Sequence, residues 1–415
     1  MAGHVVIVGA GMAGLRAAEQ LRAAGWDRAV TVVGAEKHLP YNRPPLSKEL
    51  LAGRTGAGGV AEAHAAAAFR RRKSVADVAW RLGVPAVQAS LSAKTLKLAD
   101  GTRLAYDGLV VASGLRPRRA PIPGPQAGRY VLRTLDDAVA LRDLLVPGRS
   151  VLIMGGGFIG CEVAATARRA GCEVTVVEPC AEPMERALGP ELGRVLRRHH
   201  EDQGVRFVTG RLVSEFLGED DRVSAAILDD GTLVPADLVI ESTGSRANVE
   251  WLEGNGLDLH DGVLCDNSLR VEGLPGVVAV GDVARFPNPR FDDVPRRVEH
   301  WCIPADTAKR AAATLAADLG VQPHDEALFA PAPFAPVPSF WSDQYDVRVQ
   351  SFGAPALGER CELLDGGLDH PRALNGGVAM AYYRDRQMVG VVLVGMPAAR
   401  HRHYRDLVAN APAPA

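Results

Sequence analysis

The sequence predicts an α/β protein with two similar parallel-sheet domains followed by a small α+β domain. Two segments, residues 4–36 and 150–178, each contain a β-branched apolar run, a glycine-rich turn, an amphipathic helix and a second apolar run that ends in a glutamate. A second pair of similar segments ends at Gly114 and Gly244 and reads LADGTRLAYDGLVVASG and LDDGTLVPADLVIESTG. A duplicated β-α-β unit with a duplicated closing strand indicates two domains of related architecture.

Both units carry the glycine spacing of a Rossmann-like dinucleotide-binding turn. In such a turn the first glycine permits a tight bend, the second lets a pyrophosphate approach the backbone, and the third lets helix and strand pack closely. A carboxylate at the end of the second strand can then hydrogen-bond a ribose diol. The residues concerned are Gly9, Gly11, Gly14 and Glu36 in the first unit, and Gly155, Gly157, Gly160 and Glu178 in the second. A purely structural role is disfavoured because strand, helix and acid are all in register.

Composition excludes several classes of protein. The chain has 415 residues, of which 47% are apolar, so it has enough material for about three folded domains. Its formal net charge of -2 gives no bulk attraction to nucleic acid or to an anionic membrane. No apolar run approaches the roughly 18–20 residues of a membrane span, so we expect a cytoplasmic protein. The six cysteines show neither a redox pair nor a metal-ligand spacing, which favours buried thiols and no metal site.

A third motif favours a flavin nucleotide in the first unit. The stretch GVVAVGDVARF places Asp282 after a strand and a glycine turn, where a carboxylate can bind polyol hydroxyls or, alternatively, cap a helix. Here the chain resembles the flavoproteins with two dinucleotide-binding domains, in which such a motif holds the ribityl chain of FAD. The resemblance implies FAD in the first unit and NAD in the second. Glu178 favours NADH because a carboxylate repels the 2′-phosphate of NADPH, whereas the nearby Arg186 would soften this preference.

Further strings are similar to the ferredoxin reductases of oxygenase systems, a branch of the FAD-dependent pyridine nucleotide-disulfide oxidoreductase family. They are PYNRPPLSKELL at residues 40–51, LRTLDDA at 132–138, GGGFIGCEVAA at 155–165, VEHW at 298–301 and FWSDQY at 340–345. The disulfide-using members of this family have a cysteine pair near the flavin, in the stretch that residues 42–48 occupy here without a cysteine. Electrons would therefore leave from the flavin itself.

The order of the segments predicts a discontinuous first domain. We expect residues 1–115 and 246–325 to form an FAD-binding domain of Rossmann-like fold. Residues 116–245 would form the NAD-binding domain, and residues 326–415 a small α+β interface domain. The proline-rich run at residues 331–338 marks the last boundary.

The resemblance also implies the reacting site. Lys48 should lie beside the isoalloxazine and pair with Glu162 near the nicotinamide, with Arg43 lining the same face. The alternative is a solvated lysine and a glutamate that the helix dipole stabilises. Trp301 and Trp341 are expected to flank the flavin, with core packing as the alternative for each.

Together these features predict an NADH:ferredoxin oxidoreductase, a monomer or weak dimer that passes single electrons to an acidic 2Fe–2S ferredoxin in a transient complex. The ferredoxin would serve a heme monooxygenase or a Rieske-type oxygenase. Alternatives are a rubredoxin or quinone reductase, and an NADH-responsive flavoprotein switch resembling apoptosis-inducing factor. Arg296, Arg297, Lys309 and Arg310 could meet the ferredoxin, or the basic cluster at residues 70–73 could, although a basic run is commonly just a solvated face.

Overall fold

A parallel five-stranded sheet forms the centre of the first unit in the computed structural model, which describes residues 3–56, 58–321, 333–368, 374 and 376–412. Its strands, in spatial order, are Val277–Ala279, Gly108–Val111, His4–Val8, Ala29–Gly34 and Ala79–Leu82. Val5, Val6 and Ile7 of the central strand are 0% exposed. The uninterrupted apolar run is therefore that of a parallel strand covered on both faces.

A second parallel sheet repeats this arrangement. Its strands, in spatial order, are Arg206–Thr209, Glu173–Glu178, Ser150–Met154, Leu238–Glu241 and Arg129–Tyr130. In both sheets the strand before the glycine turn is central. It pairs on one side with the strand that ends in or near the glutamate, and on the other side with the closing strand. The carboxyl ends of these strands, and the turns that follow them, meet at one edge of each sheet.

Helices follow both glycine turns. They are α1 (Met12–Ala23) in the first unit, and α4 (Phe158–Arg169) in the second. The others in the described part of the chain are α2 (Val60–Ala67), α3 (Leu135–Arg142), α5 (Glu185–Asp202), α6 (Ile303–Asp318) and α7 (Ala398–Ala409). None of these helices has both the length and the apolar character that crossing a membrane requires.

Antiparallel hairpins lead into the closing strand of each unit. The first unit has Ala86–Ser90, Thr95–Leu98 and Arg103–Ala105, and the second has Val213–Glu219, Arg222–Leu228 and Leu233–Pro235. The duplication that the sequence predicts is thus present in the fold. Where the chain crosses between the units, Leu115–Pro117 pairs antiparallel with Ser245–Ala247. A further small sheet contains Val263–Leu264, Ala284–Asn288 and Asp292–Arg297.

An antiparallel five-stranded sheet follows residue 338. Its spatial order is Ser339–Gln344, Val347–Gly353, Gln387–Val394, Val378–Arg384 and Arg360–Asp365, and α7 packs on it through Tyr404 and Val408. The predicted α/β fold class, with two Rossmann-like units and a small α+β unit, is confirmed. The predicted boundary at residue 326 lies outside the described residues, as do residues 331–332 of the proline-rich run. The domain limits remain predictions.

Candidate functional site

One large cavity lies at the carboxyl ends of the strands of both parallel sheets. Its volume of about 1230 Å³ exceeds the roughly 300–1,000 Å³ of typical ligand pockets. The predicted site residues in its walls are Gly9, Gly11, Glu36, Arg43, Lys48, Gly157, Glu162, Asp282, Trp301 and Trp341. Those outside its walls are Gly14, Gly155, Gly160 and Glu178. The cavity thus joins both glycine turns to the first strand of the C-terminal sheet.

The first glycine turn is shaped to accept a phosphate. Gly9 has a φ of +123°, and a Cβ there would lie 1.9 Å from the carbonyl oxygen of Ala112. A Cβ on Gly14 would lie 1.9 Å from the carbonyl oxygen of Gly9, so turn and helix are in direct contact. A Cβ on Gly11 would meet nothing within 4 Å, because this glycine borders the cavity at the start of α1. An open glycine at a helix N-terminus suits a pyrophosphate.

The second turn has the same construction. Gly155 has a φ of +101°, and its Cβ would lie 2.4 Å from the carbonyl oxygen of Ser242. A Cβ on Gly160 would lie 2.0 Å from the carbonyl oxygen of Gly155, whereas one on Gly157 would meet nothing within 4 Å. Gly14 and Gly160 lie outside the cavity walls because each packs its helix against its own turn, and Gly155 packs against the Ser242 carbonyl oxygen.

The acid at the end of the first unit's second strand is held by two neighbours. Tyr41 Oη donates to Glu36 Oε2 at 2.5 Å, and Arg43 Nη2 donates to Glu36 Oε1 at 2.5 Å. Arg43 Nη1 also donates to the carbonyl oxygen of Arg133 at 2.6 Å. Glu36 and Arg43 therefore stand side by side on the cavity wall with their charges paired.

Two cavity residues that the sequence did not single out carry unpartnered polar atoms. Arg133 Nε and His300 Nδ1 are buried and have no hydrogen-bond partner among the described residues. Arg133 Nη2 lies 3.5 Å from Asp282 Oδ2, and burial raises the pKa of the Asp282 carboxyl. Burial lowers the pKa of His300 to about 4, so its ring is neutral at pH 7. A polar ligand in the cavity would supply the hydrogen bonds that these two atoms lack. In the sequence, the strings LRTLDDA and VEHW contain these residues and could have identified them.

Lys48 and Glu162 form an ion pair on the cavity wall. Lys48 follows the short 3-10 turn Pro44–Ser47, and its Nζ lies 2.8 Å from Glu162 Oε2. Ser47 Oγ donates to the same oxygen at 2.5 Å, and Ser342 Oγ donates to Glu162 Oε1 at 2.7 Å. Glu162 is 3% exposed. Burying a carboxylate this deeply is costly unless such partners surround it.

Aromatic rings complete the wall between the two units. The centroids of Phe158 and Phe340 are 4.7 Å apart, and those of His300 and Phe340 are 4.8 Å apart. Trp301 stacks on Phe69 with centroids 6.2 Å apart, and it also lines the cavity, as Trp341 does. Trp301 thus combines stacking on Phe69 with a place on the cavity wall, and Trp341 lines the cavity as well.

Glu178 faces its own glycine turn. It is 8% exposed, its Oε2 accepts a hydrogen bond from the Gly156 amide at 2.6 Å, and its Oε1 accepts one from the Cys180 amide at 2.9 Å. The carboxylate therefore fixes negative charge beside the second turn, although it does not line the cavity.

We expect Glu178→Gln to raise the ratio of NADPH to NADH use about tenfold, because the fixed negative charge that repels a 2′-phosphate is removed. The ratio of kcat/KM for the two nucleotides measures this. Glu173→Gln, an exposed change on the same strand, is the control. An unaltered ratio in Glu178→Gln would remove the residue from nucleotide selection.

The chain is similar to flavoprotein reductases along most of its length. The family described as pyridine nucleotide-disulphide oxidoreductase matches residues 3–305, and the one described as reductase C-terminal matches residues 339–415. The ferredoxin–NAD(+) reductase component of the anthranilate 1,2-dioxygenase system of Burkholderia cepacia is 37% identical over 85% of this chain and 82% of the relative. Putidaredoxin reductase of Pseudomonas putida is 35% identical over 84% of this chain and 80% of the relative.

Solved structures agree with this similarity. A chain in the crystal structure of the covalent putidaredoxin reductase–putidaredoxin complex superimposes with a TM-score of 0.86 at 31% identity. The superposition covers 98% of this chain and 93% of that chain. The similarity therefore extends over both parallel sheets and the C-terminal sheet.

Proposed function

The chain belongs to the pyridine nucleotide-disulphide oxidoreductase family, and we propose that within it the protein is an NADH-dependent, FAD-containing ferredoxin reductase of an oxygenase system. One observation carries this proposal: both dinucleotide-binding turns open into a single cavity whose wall holds the Lys48–Glu162 ion pair. Two nucleotides bound to such turns would extend their reacting rings toward the same space.

The residues of the cavity fit both nucleotides. Gly11, Glu36 and Asp282 would hold FAD, together with Arg133, whose Nε has no hydrogen-bond partner among the described residues, and Gly157 would receive the pyrophosphate of NADH. When bound, FAD accepts two electrons from NADH as a hydride and releases them singly to an iron–sulfur protein.

The chain's own residues orient the reaction and keep water out. Lys48 presents an ammonium group to the cavity, and Glu162 fixes its direction. Phe158, Phe340 and Trp301 place apolar rings on the cavity wall, and with both nucleotides bound these rings would help to exclude water from the space between the two turns. Residues 42–48 contain no cysteine that could form a thiol relay, and the hydride step itself requires no general base.

Ferredoxin is the partner that the relatives' names support, and we propose an acidic 2Fe–2S ferredoxin in a transient complex. A basic face, defined by Lys309 on α6 with Arg402 and Arg405 on α7, would receive it, because all three residues are exposed and the ion pair of Arg402 with Asp406 is long, at 3.7 Å, and exposed. Lys309 and Arg405 both act electrostatically on Asp306, so the two helices present their charges at one place. The cavity residue Pro304 lies in the first turn of the same α6.

Arg296 and Arg297, which the sequence predicts to contact the ferredoxin, are engaged in ion pairs within the protein. Arg296 Nη1 lies 2.5 Å from Asp292 Oδ1, and Arg297 pairs with Asp261 and Glu299. Their charge is largely neutralised by these acids. The basic face therefore rests on Lys309 and α7.

The charge reversal Lys309→Glu is expected to lower the rate of ferredoxin reduction about tenfold at low ionic strength, because charges at the edge of an interface act mainly on the rate of association. The decrease should be smaller at high salt, because salt screens exposed charges. Reduction of ferricyanide by NADH should stay unchanged. Arg70→Glu, in the alternative basic cluster, is the matched reversal. If Arg70→Glu rather than Lys309→Glu slows ferredoxin reduction, the docking surface is the basic cluster at residues 70–73.

Cytochrome c reduction by the purified protein with NADH, with and without a bacterial 2Fe–2S ferredoxin, tests the function, and NADPH is compared alongside. Strong stimulation by ferredoxin is the expected result. Fast flavin bleaching without stimulation would indicate a different acceptor, such as rubredoxin or a quinone. Slow bleaching would instead favour an NADH-responsive switch.

A further inference from the structure

A chain of buried hydrogen bonds runs from α5 to the Glu162 carboxylate. His200 Nε2 bonds Gln344 Oε1 at 2.8 Å, Gln344 Nε2 donates to Ser342 Oγ at 3.1 Å, and Ser342 Oγ donates to Glu162 Oε1 at 2.7 Å. His200, Gln344 and Ser342 are each 0% exposed, and Glu162 is 3% exposed. Polar side chains that are buried in this way depend on one another for hydrogen bonds, and of the four only His200 has a buried polar atom, Nδ1, without a partner among the described residues.

Each hydrogen bond that links His200, Gln344, Ser342 and Glu162 is donated in the direction of the carboxylate. The Met184 thioether 3.2 Å from Gln344 Nε2 can only accept, so it fixes the amide with its NH₂ group toward Met184 and Ser342. Gln344 Oε1 must then accept from His200, whose ring stays neutral because burial lowers its pKa to about 4. Since Ser342 already accepts from Gln344, its one proton is left for Glu162. Aligned donors of this kind strengthen one another.

The hydrogen-bond chain joins three parts of the molecule at one carboxylate. Ser47 and Lys48 reach Glu162 from the first unit, and Ser342 reaches it from the C-terminal sheet. Successive side chains of a strand point to opposite faces, so the strand Ser339–Gln344 directs Ser342 toward α4 and presents Trp341 on its other face. One strand thereby places an aromatic cavity residue and the donor that holds Glu162.

We propose that Ser342 is a positioning residue for the reaction: it holds the Glu162 carboxylate, and through it the Lys48 ammonium, in the orientation that reduction by NADH requires. This inference rests on the proposed function of the Lys48–Glu162 pair and extends it to the C-terminal sheet. Gln344 and His200 act behind Ser342 by fixing the direction of its proton.

Stability alone does not explain why these polar side chains are buried here. Well-packed apolar side chains in place of buried polar or ionic groups are often as stable or more stable. Removing the Ser342 hydroxyl leaves one oxygen of the buried Glu162 carboxylate without its donor, which costs stability and also removes a contact that orients the carboxylate. We therefore expect Ser342→Ala to lower stability and, in addition, to disturb the orientation of the ion pair.

The test compares Ser342→Ala with Ser351→Ala in the FAD-loaded protein. Ser351 is a matched control, since it is also 0% exposed, lies in the neighbouring strand, and its Oγ has no hydrogen-bond partner among the described residues. Ser342→Ala is expected to lower the limiting rate of flavin reduction by NADH about tenfold or more, as for a lost bond to a charged group. The dissociation constant for NAD+ and the oxidation of photoreduced protein by ferricyanide should stay near wild type. Ser351→Ala should change none of these, and Ser342→Thr, which keeps the hydroxyl, should recover most of the rate.

Crystal structures of the variants give a readout that does not depend on activity. The Glu162 carboxylate should be displaced in Ser342→Ala and unmoved in Ser351→Ala. Equal rates in the two alanine variants, or an equal loss of rate in Ser342→Thr, would overturn the proposal. If Glu162→Gln slows reduction while Ser342→Ala does not, only this inference fails. If Glu162→Gln leaves reduction unchanged, the proposed role of the ion pair fails as well.

Discussion

Lys48→Ala is expected to slow reduction of the bound flavin by NADH about a hundredfold, a loss typical of removing one preorganised charge from a reaction site. FAD should stay bound, because the glycine turn, Glu36 and Asp282 are untouched. Lys48 lines the cavity, and Glu162 and the carbonyl oxygen of Pro44, at 3.1 Å, hold its Nζ in place. Anaerobic stopped-flow absorbance at saturating NADH measures the rate, and Lys73→Ala, a change of an exposed lysine, is the control.

Removing Lys48 alone leaves a buried carboxylate without its cation, which is itself destabilising. The double variant Lys48→Ala/Glu162→Gln removes both charges and separates the two effects. A slow rate in both variants, with a normal unfolding temperature in the double variant, assigns the loss to the missing ammonium. Normal reduction kinetics in Lys48→Ala with FAD retained would remove Lys48 from the reaction.

Gly11→Ala and Gly157→Ala are expected to separate the two nucleotide sites. Neither added methyl group meets a protein atom within 4 Å, so both variants should fold normally. Each methyl would instead occupy the space where a pyrophosphate approaches the backbone. Gly11→Ala should weaken FAD binding about tenfold or more, and Gly157→Ala should weaken NADH binding by a similar factor, the usual scale of an overpacked contact.

FAD affinity is measured by titrating the apoprotein, and NADH affinity from the concentration dependence of flavin reduction. Gly9→Ala provides the contrast, because its Cβ would collide with the Ala112 carbonyl and the fold itself should suffer. If Gly11→Ala retains FAD and Gly157→Ala loses it, the assignment of the nucleotides to the two units is reversed.

The sequence predicts those features of the fold and site that depend on neighbouring residues. The apolar runs His4–Val8 and Ser150–Met154, with the glycines that follow, specify strand, turn and helix locally. Their repetition was sufficient to identify two parallel sheets. A glycine such as Gly9 has a positive φ in the structure for the same local reason.

Features that depend on distant segments could not be predicted in this way. Ser342 meets Glu162 across 180 residues of sequence, and Arg133 meets Asp282 only after the two sheets assemble. Nothing in the local pattern around Ser342 distinguishes a buried donor from an ordinary strand serine. Likewise, the neutralisation of Arg297 by Asp261 depends on a contact across 36 residues.

Glu178 illustrates the limit of a motif. Its spacing from the glycines correctly places it at the end of the strand Glu173–Glu178. Its carboxylate, however, accepts hydrogen bonds from the amides of Gly156 in the glycine turn and of Cys180 after the strand, and it does not line the cavity. The motif predicts where the side chain begins, whereas local backbone donors decide where it points.

The number of 2Fe–2S ferredoxin molecules reduced for each NADH consumed, measured anaerobically with a catalytic amount of the protein, tests the central claim most directly. A reductase that accepts a hydride and releases single electrons should reduce about two ferredoxins per NADH, since each cluster takes one electron. Consumption of NADH without reduction of any ferredoxin would contradict the account.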